Sequence, residues 1–313
     1  MELSVIVLNY NGKDVLPRCL ESLMAERARF DFEVVAVDNG STDGGCAELE
    51  SQFPQIRFIK SDYNRGFAAG CNLGLAHADP NARNYMLLNP DTEVMPGALN
   101  TLVEALNSHE TWGIVGPRML DGQDQMYPAA RRFPKPFDVF CECTRLAYLF
   151  PHSQLFSRYF YGDCKLDQLD KVDQVEGSAL VIKGSVRRAI GDLDEQFFLF
   201  WEEVDWCKRV QAAGFEVHVV QSATVRHFRA TSMTKAYIFS RQENARSALK
   251  FFHKHHGNKG VQSLKRWMIL GLWLREIGTR FLSLFINKDF IKLRAEGARA
   301  ERQIYRNGME SCL

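Results

Sequence analysis

Short apolar runs alternate with helix-length stretches along the chain. The runs 3–9 (LSVIVLN), 32–38 (FEVVAVD), 56–59 (IRFI), 85–89 (YMLLN) and 113–116 (GIVG) are rich in β-branched and aliphatic residues and read as strands. Between them, 15–24 and 97–107 have the length and spacing of helices. Such alternation predicts an α/β fold: a mostly parallel, Rossmann-like central sheet with helices on both faces. Several strands end in polar or turn residues, among them Asn9-Tyr10-Asn11-Gly12, the loop from Asp38 to Gly44, and Asn89-Pro90-Asp91. At one edge of a parallel sheet, loops of this kind make a polar floor for a ligand.

From 121 to 171 the pattern weakens. Aromatic, proline and basic residues alternate without a clear period, and PAARRFPKPF (128–137) reads as a loop. Order returns with VEGSALVIK (175–183) as a strand and FFLFWEEVDWCKRVQAAGF (197–215) as an aromatic loop leading into a short helix closed by Gly214. EVHVV and TVRHF read as two further strands, and 240–255 has helical length. In 264–288, Trp267, Leu270, Leu274, Ile277, Phe281 and Phe285 recur at helical spacing, while Arg266, Arg275, Glu276 and Arg280 interrupt any spanning run. An amphipathic helix is expected there, not a transmembrane one.

Composition changes this picture in two ways. With 313 residues and 46% hydrophobic content the chain has material for a sizeable core, so disorder is excluded as a default. The net charge of +1 hides an asymmetry: residues 246–313 carry 14 basic and 5 acidic residues, leaving 25 basic and 33 acidic before them. A basic tail on an acidic body suits an anionic partner such as a membrane surface or nucleic acid, and a solvated basic helix accounts for the same charge; of the two partners the membrane surface is the one expected. Nucleic acid is not expected as a partner. The eight cysteines are scattered, and Cys141 and Cys143 lack a matching second pair, so they read as reduced thiols of a cytosolic protein. The opening MELSVIVLNYNG reads as the first strand rather than a targeting peptide.

The chemistry-bearing residues are individually ambiguous. Neither G-x-G-x-x-G nor G-x-x-x-x-G-K-[ST] follows the first strand, which argues against a dinucleotide site or a P-loop. Asp38, ending the second strand, has the acceptor oxygens for a ribose or a base edge. NRGFAAGCNLG sets Gly66, Gly70 and Gly74 four apart on a helix, where close packing explains them as well as ligand contact does; Arg65 at its mouth has the reach for a phosphate. Asp91 is either a turn and capping residue or an acid carried to the carboxyl edge of the sheet. In FLFWEEVDW, Glu202, Glu203 and Asp205 suit a helix N-terminus, or a general base whose pKa is raised by its aromatic neighbours. His227 is either structural or a ligand.

In chain order, SVIVLNYNG, VVAVDNGSTDG, NRGFAAGCN, LLNPDTEV, FFLFWEEVDWCKRVQAAGF and the downstream histidine resemble the inverting family 2 glycosyltransferases of GT-A fold, particularly their rhamnosyltransferase-like branch, over residues 3–230. The resemblance implies a GT-A domain at 1–235, with 1–120 binding a nucleotide sugar and 121–235 forming the acceptor and catalytic half. Residues 236–313 follow as a basic, amphipathic C-terminal helical region. It implies Mg²⁺ or Mn²⁺ as cofactor and a donor-binding set of Leu8, Asn9, Tyr10, Asn11, Asp38, Ser41, Arg65, Gly66, Asn72, Asn89, Pro90 and Asp91, with Asp38 on the pyrimidine. Asp91 takes the place of the last acid of the family's D-x-D motif, reduced here to Asn89-Pro90-Asp91. Glu203 falls at the catalytic base, a glutamate where aspartate is usual, with Glu202 and Asp205 as alternatives. His227 falls where some members place a metal ligand.

The expected activity is transfer of a sugar, rhamnose from dTDP-rhamnose, to a cell-surface glycan or lipid-linked precursor. A UDP-hexose donor is the alternative within the fold. A nucleotidyltransferase is the alternative from another class, but it needs an early Gly-rich triphosphate loop, whereas LNYNGKDVLPRCL offers one glycine. The expected location is cytoplasmic, peripheral on the inner face of the plasma membrane, with oligomerisation through the C-terminal helices as another use for their apolar stripe.

Overall fold

The computed structural model describes residues 1–27, 30–228, 237–282 and 288–312. Its strands in chain order are β1 (Leu3–Asn9), β2 (Phe32–Asp38), β3 (Arg57–Lys60), β4 (Asn84–Leu88), β5 (Thr92–Val94), β6 (Trp112–Leu120), β7 (Lys171–Val172), β8 (Ala179–Lys183) and β9 (Glu216–His227). They form one sheet in the order β3-β2-β1-β4-β8-β6-β9-β5, with β7 added beside β9. The strands β3, β2, β1, β4, β6 and β9 share one direction, and β8, β5 and β7 run against them. The sheet is therefore mostly parallel, as the alternating pattern requires.

The helices in chain order are α1 (Leu16–Glu26), α2 (Gly45–Gln52), α3 (Phe67–His77), α4 (Ala98–Ser108), α5 (Pro136–Cys143), α6 (Leu146–Leu149), α7 (Gly184–Ile190), α8 (Glu202–Ala212), α9 (Tyr237–Leu282) and α10 (Lys288–Asn307). All seven residues of β1 are buried, the signature of a strand covered on both faces. On one face α1 supplies Leu16, Cys19, Leu20 and Leu23, a stripe at three- and four-residue spacing that joins the β1 and β4 side chains in the main core. On α3 the close approach to the sheet explains two glycines: a Cβ on Gly70 would lie 2.6 Å from Leu8 Cδ1, and one on Gly74 2.5 Å from Ile6 Cγ2. Both glycines serve packing.

Register sets the functional edge. Asn9 lies opposite Asp38, and Val7 opposite Leu88, so β1, β2 and β4 end close together and their loops share one side of the sheet. After β4 the chain reverses through Asn89-Pro90-Asp91 into β5, which pairs with β9 so that Thr92 faces His227. This pairing brings a residue late in the chain to the tip of a strand formed early.

Besides short elements the sequence pattern did not show, among them β5 and β7, the structure departs from that pattern as follows. EVHVV and TVRHF are one strand, β9, whose pairing with β6 jumps from Val220 to Thr224 between Pro117 and Arg118. The extra residues form an irregularity in which Gln221 Nε2 donates to the carbonyls of Leu166 and Leu169. The stretch from 121 to 171 contains α5 and α6, which prolines and clustered aromatics had concealed. The helix expected at 240–255 is the start of α9, which continues through a break at Gly257 (φ 61°).

The chain groups into two compact units: Met1–Arg131, Lys165–Glu195 and Glu202–Ser232 form the first, and Arg132–Cys164, Gln196–Trp201 and Met233–Leu313 the second. The first contains the whole sheet. In the second, α5 packs on α9 through Phe137, Phe140 and Trp267, and Arg241 of α9 pairs with the buried Glu301 of α10. Phe200 and Trp201 both adopt positive φ (68° and 71°), unusual for bulky residues. Trp201 Nε1 donates to Asn244 Oδ1 at 2.8 Å, and Ser247 Oγ donates to the Leu199 carbonyl at 2.9 Å, which holds this turn in place. Of the amphipathic stripe read at 264–288, Phe285 lies outside the described residues, and Trp267 is packed while Leu270, Leu274, Ile277 and Phe281 are exposed.

Candidate active site

The loops after β1 and β2 lock onto each other. Asp38, buried at the end of β2, accepts through Oδ1 from the Ser41 amide at 2.9 Å. Ser41 Oγ accepts from the Asn11 amide at 2.9 Å, and Asn11 Oδ1 accepts from the Thr42 amide at 2.8 Å. Asn9 is buried; its Nδ2 donates to Ser41 Oγ and Cys46 Sγ, while its Oδ1 lacks a hydrogen-bond partner among the described residues. Leu8 lies beneath α3 and Tyr10 is exposed. Gly66 precedes α3 with φ 84°, and the exposed Arg65 holds Ser61 Oγ through Nε at 2.9 Å with its guanidinium 4.9 Å from the Tyr63 ring. Asn72 is differently employed. Its side chain makes three hydrogen bonds to Leu193 and Glu195, so it ties α3 to the segment before α8.

At the tip of β4, the Asn89 amide donates to the Ser178 carbonyl at 2.9 Å, and Pro90 carries the chain to Asp91. The Phe228 amide donates to the Asp91 carbonyl at 2.9 Å, and Asp91 Oδ1 lies 3.1 Å from His227 Nε2. On the far side of the imidazole, Nδ1 is 3.1 Å from Tyr127 Oη, and that hydroxyl donates to Glu176 Oε2 at 3.0 Å. Tyr127 has one proton; when Glu176 takes it, the bond to the histidine is completed by Nδ1–H donating to the phenol oxygen. Nε2 then has its lone pair toward Asp91 unless the ring is doubly protonated. A carboxylate oxygen and an imidazole nitrogen directed at one point suit either an imidazolium–carboxylate pair or a shared divalent ion whose other ligands are phosphate oxygens and water. Asp91 and His227 therefore fit as part of the shell of such an ion. Among the described residues no group of three or more His, Cys, Asp and Glu side chains is gathered around one point.

The acidic helix start divides into three distinct environments. Asp205 is fully buried and accepts from Arg209 Nε at 2.8 Å, while the same guanidinium binds the carbonyls of Ile190 and Asp192. Glu202 is buried near Cys71 of α3, and its carboxyl is pushed well above the usual range by burial and by Glu203. The Glu203 carboxyl is also raised by burial, with Glu176 adding to the effect and Arg131 opposing it. Its Cβ lies 3.3 Å from where a Cβ on Gly177 would be, which puts Glu203 beside the Glu176-Gly177 turn. One oxygen of each glutamate, Oε2, lacks a hydrogen-bond partner among the described residues. A half-buried carboxyl with a raised pKa beside Glu176, the end of the Asp91–His227–Tyr127–Glu176 chain, is equipped to take a proton from a bound hydroxyl.

Residues 4–164 match the family model described as glycosyl transferase family 2. The chain belongs to this family. The transferase is 28% identical over 240 residues to an N-acetylglucosaminyl-diphospho-decaprenol L-rhamnosyltransferase of Mycobacterium tuberculosis, covering 74% of this chain and 77% of that protein. It is 25% identical over 238 residues to a low-salt glycan biosynthesis hexosyltransferase, Agl10, of Haloferax volcanii, covering 75% and 69%. Among solved structures it resembles the mannosyltransferase PcManGT from Pyrobaculum calidifontis in complex with GDP-Man and Mn²⁺ (TM-score 0.57, 15% identity, 99% of this chain and 84% of that one). It also resembles S. aureus TarS 1-349 (TM-score 0.52, 12% identity, 98% and 91%). These likenesses show a GT-A fold, and family membership removes the nucleotidyltransferase alternative.

In this glycosyltransferase the structure brings Asn9, Asn11, Asp38 and Ser41 into one hydrogen-bonded edge and Asp91 to His227. It engages Asn72 and Asp205 in contacts within the protein. Tyr127, Arg131 and Glu176 are the site residues that sequence reading missed. Tyr127 and Arg131 lie in the stretch without period, and Glu176 preceded Gly177 in what read as strand; the irregular turn there was the available signal.

Proposed function

We propose that the protein is a metal-dependent inverting glycosyltransferase that moves rhamnose from dTDP-rhamnose to a cell-surface glycan or its lipid-linked precursor. The observation that carries this reading is the facing pair of Asp91 Oδ1 and His227 Nε2 at the strand tip, with the raised carboxyl of Glu203 nearby. The name of the mycobacterial relative supports both the sugar and a lipid-linked acceptor. Residues 1–235 carry the chemistry in this reading and 236–313 serve location, on the inner face of the plasma membrane.

The donor set comprises Leu8 to Asn11, Asp38, Ser41, Arg65, Gly66 and Asn89 to Asp91, with Asp38 toward the pyrimidine. Asp91 and His227 hold Mg²⁺ or Mn²⁺, which supplies Lewis-acid stabilisation of the diphosphate leaving group. Glu203 accepts the proton of the acceptor hydroxyl as its oxygen bonds to C1 on the face opposite the diphosphate; the C1–O bond to the diphosphate breaks and the configuration inverts. Burial suits Glu203 to this task because a raised pKa makes it a stronger base once ionised.

Calorimetric titration with dTDP-rhamnose, UDP-glucose and UDP-galactose, each with and without Mn²⁺, tests the reading. Tighter, Mn²⁺-dependent binding of dTDP-rhamnose is expected. Thymine and uracil differ by one methyl, worth roughly 1–3 kcal/mol, so the preference is graded. Better binding of a UDP-hexose would replace the donor and keep the family.

A further inference from the structure

The second compact unit exposes two apolar surfaces beside one buried cluster. On α9, Leu270, Trp273, Leu274 and Ile277 are exposed, Trp273 at 51%, while the interleaved Leu264, Met268 and Leu272 are buried. The helix thus has two apolar faces, and only one is spent on its own core. The other surface is the turn around α6, where Leu149 is 69% exposed, with Phe150 and Leu155 also exposed. The Phe150 ring packs at a tilt against Phe156, with centroids 5.3 Å apart. Phe156 and Trp267 both pack on the cluster of Phe140, Cys141 and Ala147, and a Cβ on Gly271 would lie 3.0 Å from Phe140. Knob and stripe therefore flank the same α5–α9 contact.

Charge selects the occupant. Between Lys254 and Leu282 the sequence holds six lysines and arginines, of which Arg275 is engaged with Tyr237, and a single acid, Glu276. That acid is buried and paired with Arg299 and Arg302. From 144 to 152 there is Arg145 and no acid. A second copy of the chain would set one cationic fringe against another, which costs association. A layer of anionic headgroups neutralises the fringe while its acyl boundary receives the apolar side chains, with Trp273 at the depth where indoles settle. No described helix is long and apolar enough to cross a membrane, so the contact is lateral.

We propose that the α6 knob and the exposed α9 stripe together form one interfacial docking surface for an anionic lipid bilayer. This deepens the peripheral location proposed above and rests on it.

Flotation of the full chain with phosphatidylcholine vesicles, with or without about one-third phosphatidylglycerol, tests the surface. The protein is expected to float with the anionic vesicles and to be released by salt. Trp273→Glu with Ile277→Glu, and separately Leu149→Glu with Phe150→Glu, should each weaken binding about tenfold or more, at unchanged melting temperature. Trp273→Ser is the milder variant should a double replacement disturb folding. Absence of flotation, or variants that float like the parent, would overturn the proposal. So would a dimer in sedimentation velocity that the same variants dissociate without any lipid binding. Donor binding measured in parallel separates the claims: its failure with intact flotation removes the donor reading alone, and the reverse removes the surface alone.

Discussion

Asp91 Oδ1 and His227 Nε2 stand 3.1 Å apart although 136 residues separate them in the chain. The antiparallel pairing of β5 with β9, Thr92 opposite His227, creates this approach, and Tyr127 with Glu176 supports the imidazole from behind. Each link in that chain has a separate consequence.

Tyr127→Phe removes the hydroxyl that joins His227 to Glu176, and Glu176→Gln removes the carboxylate that draws its proton. Partners behind a metal-ligating histidine typically contribute 10–100-fold in metal affinity. Both variants should require about tenfold more Mn²⁺ for half-maximal donor binding, followed by Mn²⁺ electron paramagnetic resonance. Unchanged Mn²⁺ affinity in both would leave His227 unsupported as a ligand.

Glu203→Gln should lower kcat by about 10²–10⁴ through loss of the base, with donor binding retained. Because the Glu203 carboxyl is raised by burial, the acid limb of kcat/KM should lie above the ordinary carboxylate range, with activity falling as pH drops through that raised pKa. A profile flat down to the ordinary carboxylate range would move the proton transfer to another group.

Glu202 gives the opposite signature, in stability. Its folded-state pKa is raised, so the native protein retains a proton that the unfolded chain releases. Its contribution is fully present below the unfolded pKa and is lost as pH rises through the folded one. Glu202→Gln should therefore melt higher than the parent near neutral pH, and the gap should close on acidification. Parallel calorimetric melts at several pH values read this directly.

Arg209→Ala breaks the ion pair in which the fully buried Asp205 accepts from Arg209 Nε at 2.8 Å. Breaking such a pair from one side typically costs 3–5 kcal/mol, and chemical denaturation should show a loss of about that size. Asp205→Asn should lower stability while the folded fraction keeps its turnover, which places Asp205 in the scaffold rather than in the chemistry.

The parallel half of the fold was legible because a strand buried on both faces has no polar alternation to obscure it: β1 and β2 were read to the residue. Asp91 and His227 were also visible as types, yet their meeting depends on register between distant strands, which no local pattern encodes. α5 escaped notice because Pro134 and Pro136 flank its start and its aromatic residues serve a cluster shared with α9. Glu176 was hidden for a related reason. Its position follows from the turn before β8, and only the fold shows that this turn passes beside Glu203. The three acids at the start of α8 looked equivalent in sequence, and burial with different partners makes them unlike: Arg209 for Asp205, the Cys71 side for Glu202, the Glu176 side for Glu203.

The central claim is that Asp91 holds the ion on which the donor diphosphate depends and that Glu203 acts later, on the acceptor. Calorimetry of dTDP-rhamnose binding to the parent, Asp91→Ala and Glu203→Gln proteins, with and without Mn²⁺, addresses it most directly. The account predicts Mn²⁺-dependent binding of similar strength in the parent and Glu203→Gln, and loss of the Mn²⁺-dependent part in Asp91→Ala. Undiminished Mn²⁺-dependent binding by Asp91→Ala would contradict it.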